Sequence, residues 1–289
     1  MTVLLGGCAR PTEEQRLAKF RGSMRYKAYC FASEKTARLA VTEYNKTGAQ
    51  PVDEATIHAM LGVLWFLAEK SEYSYMEAEV AAAVATNDAK RLSLGLQSIA
   101  LAKMKYPNLS QSYYDDLKAG MAMQQGIDTN RLEVEHKVML LSLMAVSLYH
   151  GDPDVAKFGA DGLSAVSHLD YLPPLMGAIV EAKKGRPVKA VMQLRELSQN
   201  EQFSEHRKFL YAEVADILAS CPDKEKLGDE VMNRIVTQLV RRVLDDVFAV
   251  ENQRALLEKV RTLPDLITGT RSVRTNAVGD AVNGTPVEK

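Results

Sequence analysis

Apolar side chains recur every three to four residues along nearly the whole chain, and the in-out alternation of a strand is almost absent. A chain written in that period buries its apolar surface by packing helix on helix, so the expected fold class is all-α. Helices are expected over about 12–46, 51–86 with a break near Ser71, 89–105, 110–125, 130–150, 153–167, 172–184, 187–199, 204–220 and 225–262. The punctuation agrees with these limits. Thr12 before Glu13-Glu14-Gln15 is a capping sequence, and Thr47-Gly48, Asn87-Asp88, Tyr106-Pro107-Asn108 and Gly126 are stop signals.

Composition narrows what such helices can be for. With 46% hydrophobic and 25% charged residues, the 289-residue chain has the make-up of a folded domain. Lys and Arg number 36 against 37 acids, which leaves no general electrostatic pull toward nucleic acid or an anionic membrane. No apolar run is long enough to span a bilayer as a helix. Three cysteines are too few for a disulfide-built scaffold or a four-thiolate zinc site. Cys30 and Cys221, 191 residues apart, read as two separate buried thiols, with pairing in an oxidising compartment as the alternative.

One spacing organises the middle of the chain. Gly151 and Ala156 are repeated 34 residues later as Gly185 and Ala190, each pair bracketing a proline, Pro153 or Pro187. Glycine supplies a left-handed turn between two antiparallel helices, and proline at the first position of the second helix gives up no hydrogen bond. Alanine then lets the helices approach, and Leu163 and Leu197 fall at equivalent positions on the seam. These two units, over 137–204, resemble the tetratricopeptide repeat, a helical hairpin stacked into an α-solenoid. Ala102 and Pro107 match the end of an earlier unit. Leu140 and Pro174 stand where the family carries a large aromatic residue, and His168 and Gln202 where it carries a closing proline. The resemblance implies that the first helix of each hairpin lines a concave surface for a partner peptide or helix. The positions so implied are Leu141, Ala145, Leu148 and Tyr149, then Leu175, Ile179, Ala182 and Lys183.

From Val231 apolar doublets follow every four residues: Val231-Met232, Ile235-Val236, Leu239-Val240, Val243-Leu244 and Val247-Phe248. A four-residue step overshoots the helical turn by about 40°, so the doublets form a spiralling band wide enough for more than one neighbour. Such a helix can cap the solenoid, lie in its groove or pair with a second chain; the cap is expected. The last stretch, 268–289, has no periodicity and reads as a flexible tail.

At the other end, Leu5-Gly6-Gly7-Cys8 resembles a bacterial lipobox, in which the cysteine receives lipid and becomes the mature N-terminus. Only seven residues precede Cys8 and none is basic, which departs from a complete signal. The resemblance implies a cell-envelope lipoprotein anchored at Cys8, and Ala9 after the cysteine implies the outer membrane, facing the periplasm. The alternative is a cytoplasmic adaptor without lipid.

Chemistry-bearing patterns are sparse. The five histidines His58, His136, His150, His168 and His206 never fall at helical zinc spacing, and no dinucleotide, phosphate-loop or nucleophile-elbow motif occurs. Glu133 and His136 share a helix face that reads as solvated. Asp152 reads as a helix cap, and the concentrations Tyr73/Tyr75 and Tyr113-Tyr114 read as core. The expectation is therefore a non-enzymatic interaction scaffold with no cofactor and no metal, assisting a secretion, pilus or outer-membrane assembly. A helical small-ligand binder or enzyme is a further alternative, and homo-oligomerisation through the C-terminal helix is left open. The chain divides into a lipobox and tether over 1–11, a helical-repeat domain over 12–266 with its capping helix at 225–262, and the tail.

Overall fold

The computed structural model describes residues 10–47, 51–85, 87–122, 134–221, 228–249 and 251–269. Among them are thirteen helices. Chain order is α1 Glu13–Gly22, α2 Met24–Asn45, α3 Glu54–Leu67, α4 Ser71–Val84, α5 Asn87–Lys103, α6 Pro107–Ala122, α7 Val134–Tyr149, α8 Pro153–Ser167, α9 Leu172–Lys183, α10 Pro187–Gln199, α11 Glu205–Ala219, α12 Asp229–Val247 and α13 Glu251–Thr268. Consecutive helices pack on each other from α3 to α6 and again from α7 to α11, as in a stacked helical-repeat array. Helix α7 packs on α5, which joins the two runs.

The two recognisable turns form as their residues dictate. Gly151 and Gly185 take φ of 74° and 79°, the left-handed region that a side chain resists. Pro153 and Pro187 open α8 and α10, and Ala156 and Ala190 are fully buried against the preceding helix. The closest approach of α7 and α8 lies one turn further on. A Cβ on Gly159 would sit 3.0 Å from the backbone nitrogen of Met144. Asp152 caps α8 by accepting from the Val155 backbone nitrogen, and Thr12 and Gln15 close a reciprocal capping box at α1.

Two long helices are divided. The helix expected over 12–46 breaks at Ser23, whose extended backbone and side-chain bond from the Tyr26 nitrogen make it the N-cap of α2. The helix expected over 225–262 is α12 and α13, with the chain turning after Val247; α13 then runs on to Thr268 with Pro264 inside it. Cys8, and the tail beyond Gly269, lie outside the described residues. Cys30 and Cys221 are not joined in a disulfide; the first is half-buried and the second buried.

The C-terminal helices decide the architecture. Helix α12 packs on α3, α7, α8 and α11, and α13 crosses α2 and α3. All five apolar doublets of α12 are buried. The spiral band thus meets neighbours on both of its flanks, and the side chains join one core that extends from Tyr29 on α2 to Ile267 on α13.

Candidate interaction surfaces and the occupied groove

Helix α7 turns Leu141, Ala145 and Leu148 inward, and α9 does the same with Leu175, Ile179 and Ala182; all six are buried. Tyr149 and Lys183, at the ends of their helices, are half-buried. The α7 residues share a core with the doublets of α12, and α9 is enclosed by α8 and α10. The α7 part of this lining therefore already has an occupant, the chain's own α12. That helix buries ten apolar side chains, each worth about 1.5–3 kcal/mol relative to exposure, so the gross gain is at least the size of a whole domain's net stability.

Polar contacts fix the position of α12 and α13. The Lys137 ammonium on α7 is buried; it donates to the Val247 carbonyl at 3.3 Å and to Gln253 Oε1 at 2.8 Å, on either side of the turn between α12 and α13. Burial lowers its pKa below the ordinary lysine value. Tyr171 donates to Asp246 at 2.5 Å, Arg261 joins Asp245 within the pair, and Lys259 reaches Glu43 on α2 at 2.8 Å.

A second polar layer lies between α2, α3 and α4. The Glu77 carboxylate is fully buried. It accepts from Tyr29 at 2.6 Å and from Ser33 at 2.8 Å, and His58 Nδ1 lies 2.8 Å away. Trp65 Nε1 donates to the Tyr29 hydroxyl, and the Tyr29 ring stacks on Tyr73 at 4.7 Å. Burial, with Glu77 beside it, raises the pKa of Tyr29 far above the ordinary range. Two residues along α4, Glu79 is held by Arg21, Tyr26 and Tyr75, three donors from α1, α2 and α4. Three arginines stand over tyrosine rings along the same seam: Arg16 on Tyr106, Arg21 on Tyr75 and Arg25 on Tyr73.

Between α5, α6 and α7, the His150 ring stacks on Tyr114 at 4.5 Å, and its Nε2 lies 2.8 Å from Ser98 Oγ. Burial lowers the His150 pKa. Burial alone would raise Asp152, but bonds from Lys118, the Val155 nitrogen and Tyr114 prevail and lower it. The tyrosines Tyr75 and Tyr114, read from the sequence as core, are core with their hydroxyls bonded to acids. Glu77 and His58 were not singled out by sequence reasoning. The signal for them is a carboxylate in the otherwise apolar stretch Tyr75-Met76-Glu77-Ala78, a place where burial demands a donor set. Among the described residues, no three His, Cys, Asp or Glu side chains gather as metal ligands.

Open surface lies elsewhere. At the α10–α11 end of the array, a small apolar cleft of about 230 Å³ is lined by Pro187, Val188, Val191, Met192, Leu218, Ala219 and Cys221. Val188 and Met192 at its rim are 61% and 68% exposed. A larger, polar cleft of about 620 Å³ runs between α11 and α12, with Glu213 and Asp216 facing Arg234 and Arg241. No helix among the described residues is long and apolar enough to cross a membrane. Comparison of the chain with protein-family models, curated proteins and solved structures found no match to any of them. The functional reading therefore rests on the fold and these surfaces: an all-helical domain of repeat-like, stacked short helices whose α7 face is covered by its own helix α12.

Proposed function

We propose that the protein is a non-catalytic protein–protein interaction module that binds its partner at the exposed end of the array, at the α10–α11 cleft. One contrast carries this reading. The α7 face is covered by α12, whereas Val188 and Met192 stand in solvent beside an apolar cleft of the size that receives one or two anchoring side chains. A catalytic role is disfavoured because the most concentrated polar group, Glu77 with His58 and Ser33, is sealed in the core where no substrate reaches it. The test is site-specific photo-crosslinking from position 192 in the producing cell, with the adduct identified by mass spectrometry. A single defined partner captured from position 192, lost in Val188→Glu and not captured when the crosslinker is placed instead at the exposed control position 158 on α8, supports the reading. Adducts indistinguishable between the two positions would defeat it.

The sequence around Cys8 supports a tethered form of the same module, an envelope lipoprotein facing the periplasm that assists a secretion, pilus or outer-membrane assembly. Intact mass of the chain purified from its own cell tests the anchor. Acyl mass on Cys8 places the module at the envelope, and an unmodified Cys8 leaves an adaptor without lipid, as in the cytoplasmic alternative.

A further inference from the structure

Helix α2 buries Tyr29, Ser33, Ala37, Ala40 and Tyr44 on one side, and among the described residues the apolar and lysine side chains on the opposite side stay exposed. At 100° per residue, the arc within about 60° of Met24 contains the apolar side chains Met24, Phe31 and Leu39 and the cations Lys27, Lys35 and Arg38, with Lys46 following at the C-cap. Every one of these residues is exposed, Met24 by 80%, Phe31 by 73% and Leu39 by 57%. No carboxylate falls on the arc. Arg38 is paired with Glu54 of α3 at 3.0 Å and lies 3.7 Å from Glu34 at the flank, and Glu43 lies on the far flank, turned to Lys259 on α13. Lys27 and Lys35 make no ion pair with another described residue. In a chain with a formal charge of -1, Lys27, Lys35 and Lys46 form a local row of positive charge interleaved with protruding apolar groups.

We infer that this face of α2 is an in-plane membrane-contact surface that lies on an anionic lipid headgroup layer. The chemistry matches an interfacial helix: apolar side chains enter the acyl boundary while lysines flank them and meet lipid phosphates. The shape matches as well. The three apolar groups stand on the convex flank of a helix about 33 Å long, so they suit a flat, yielding surface and not a partner's pocket. The flanking lysine stems add apolar contact while their ammonium groups stay at the headgroups. The contact goes beyond the protein-binding role and needs no lipid on Cys8. It would set the α10–α11 cleft at a fixed disposition to the membrane.

The test uses the full chain carrying Cys8→Ser, so that an anchor cannot contribute. Sedimentation is measured with vesicles of phosphatidylcholine alone and of phosphatidylcholine mixed with phosphatidylglycerol. The chain should sediment with the mixed vesicles only, and less so as salt is raised. Lys27→Gln and Lys35→Gln should each weaken binding about fivefold, and about 25-fold together. Phe31→Ser should abolish stable association. All these side chains are exposed, so melting temperatures should match the parent and separate a lost contact from a lost fold. Parent chain that ignores the mixed vesicles, or variants that bind them as well as the parent, would overturn the inference. So would preferential binding of a synthetic acidic amphipathic peptide to this face, which would make it a protein-docking surface.

Discussion

Lys137 reaches from the first turn of α7 to the carbonyl of Val247, 110 residues later, and satisfies the last turn of α12 from inside the core. A buried ammonium is costly, and here its cost is offset by bonds to the Val247 carbonyl and to the Gln253 side-chain oxygen. Lys137→Met keeps the apolar stem and removes the donor. The expected loss is about 1–3 kcal/mol in urea denaturation, with faster amide exchange concentrated in α13. Unchanged exchange in α13 would mean that apolar burial alone holds the turn.

Glu77→Ala leaves Tyr29, Ser33 and His58 facing a void, and the expected destabilisation is about 3–5 kcal/mol. Glu72 provides the contrast. Its ion pair with Arg25 is exposed, and Glu72→Gln should change stability by about 1 kcal/mol or less. A double-mutant cycle between positions 77 and 58 should show strong coupling, and additivity there would remove the claim that the two side chains form a unit.

His150 predicts a specific pH response. Its pKa is lowered by burial, so the unfolded chain binds the proton more tightly than the folded one. Stability should fall as pH drops from about 6.5 toward the lowered folded value, then level off below it. His150→Gln should flatten that part of the curve when melting temperature is followed between neutral and mildly acidic pH. Asp152 acts in a lower window: its lowered carboxyl stabilises the fold above the ordinary aspartate value and loses that contribution as pH falls through its folded value.

The α7–α8 seam separates two glycines by what surrounds them. A Cβ on Gly159 would meet the Met144 backbone nitrogen at 3.0 Å and the Leu140 carbonyl at 3.1 Å, atoms that move only if the helices part. A Cβ on Gly162 would meet Leu140 Cδ2 at 2.9 Å, the end of a side chain that can turn. Gly159→Ala should therefore cost about 1–3 kcal/mol, and Gly162→Ala markedly less, because helix propensity returns up to about 1 kcal/mol. Chemical denaturation of both variants measures the difference.

A chain ended at Cys221 should not present an open groove. It would expose the apolar faces of α3, α7 and α8 together, and the expected outcome is loss of cooperative unfolding with gain of dye-binding surface. A cooperatively folded truncation that gains a peptide-binding site would reverse the present reading of α12.

Local features were legible in the sequence. Gly151, Pro153, Gly185 and Pro187 need nothing beyond their own backbone preferences to make the turns observed. The doublets of α12 announced a helix with neighbours on two sides, though not which ones. Ser23 escaped notice because a single change of ψ converts a helical serine into a cap, and the flanking residues favour helix on both sides. The pairing of His58 with Glu77 was also hidden, because it joins two helices and is enforced by burial, which no local pattern encodes.

The position of α13 has a consequence for biosynthesis. This helix rests on α2 and α3, so the earliest large elements of the chain wait for the last one to emerge before their apolar flank is covered. Ribosome-bound intermediates will carry an exposed greasy strip through most of translation, which makes them candidates for chaperone protection until the final turn is released.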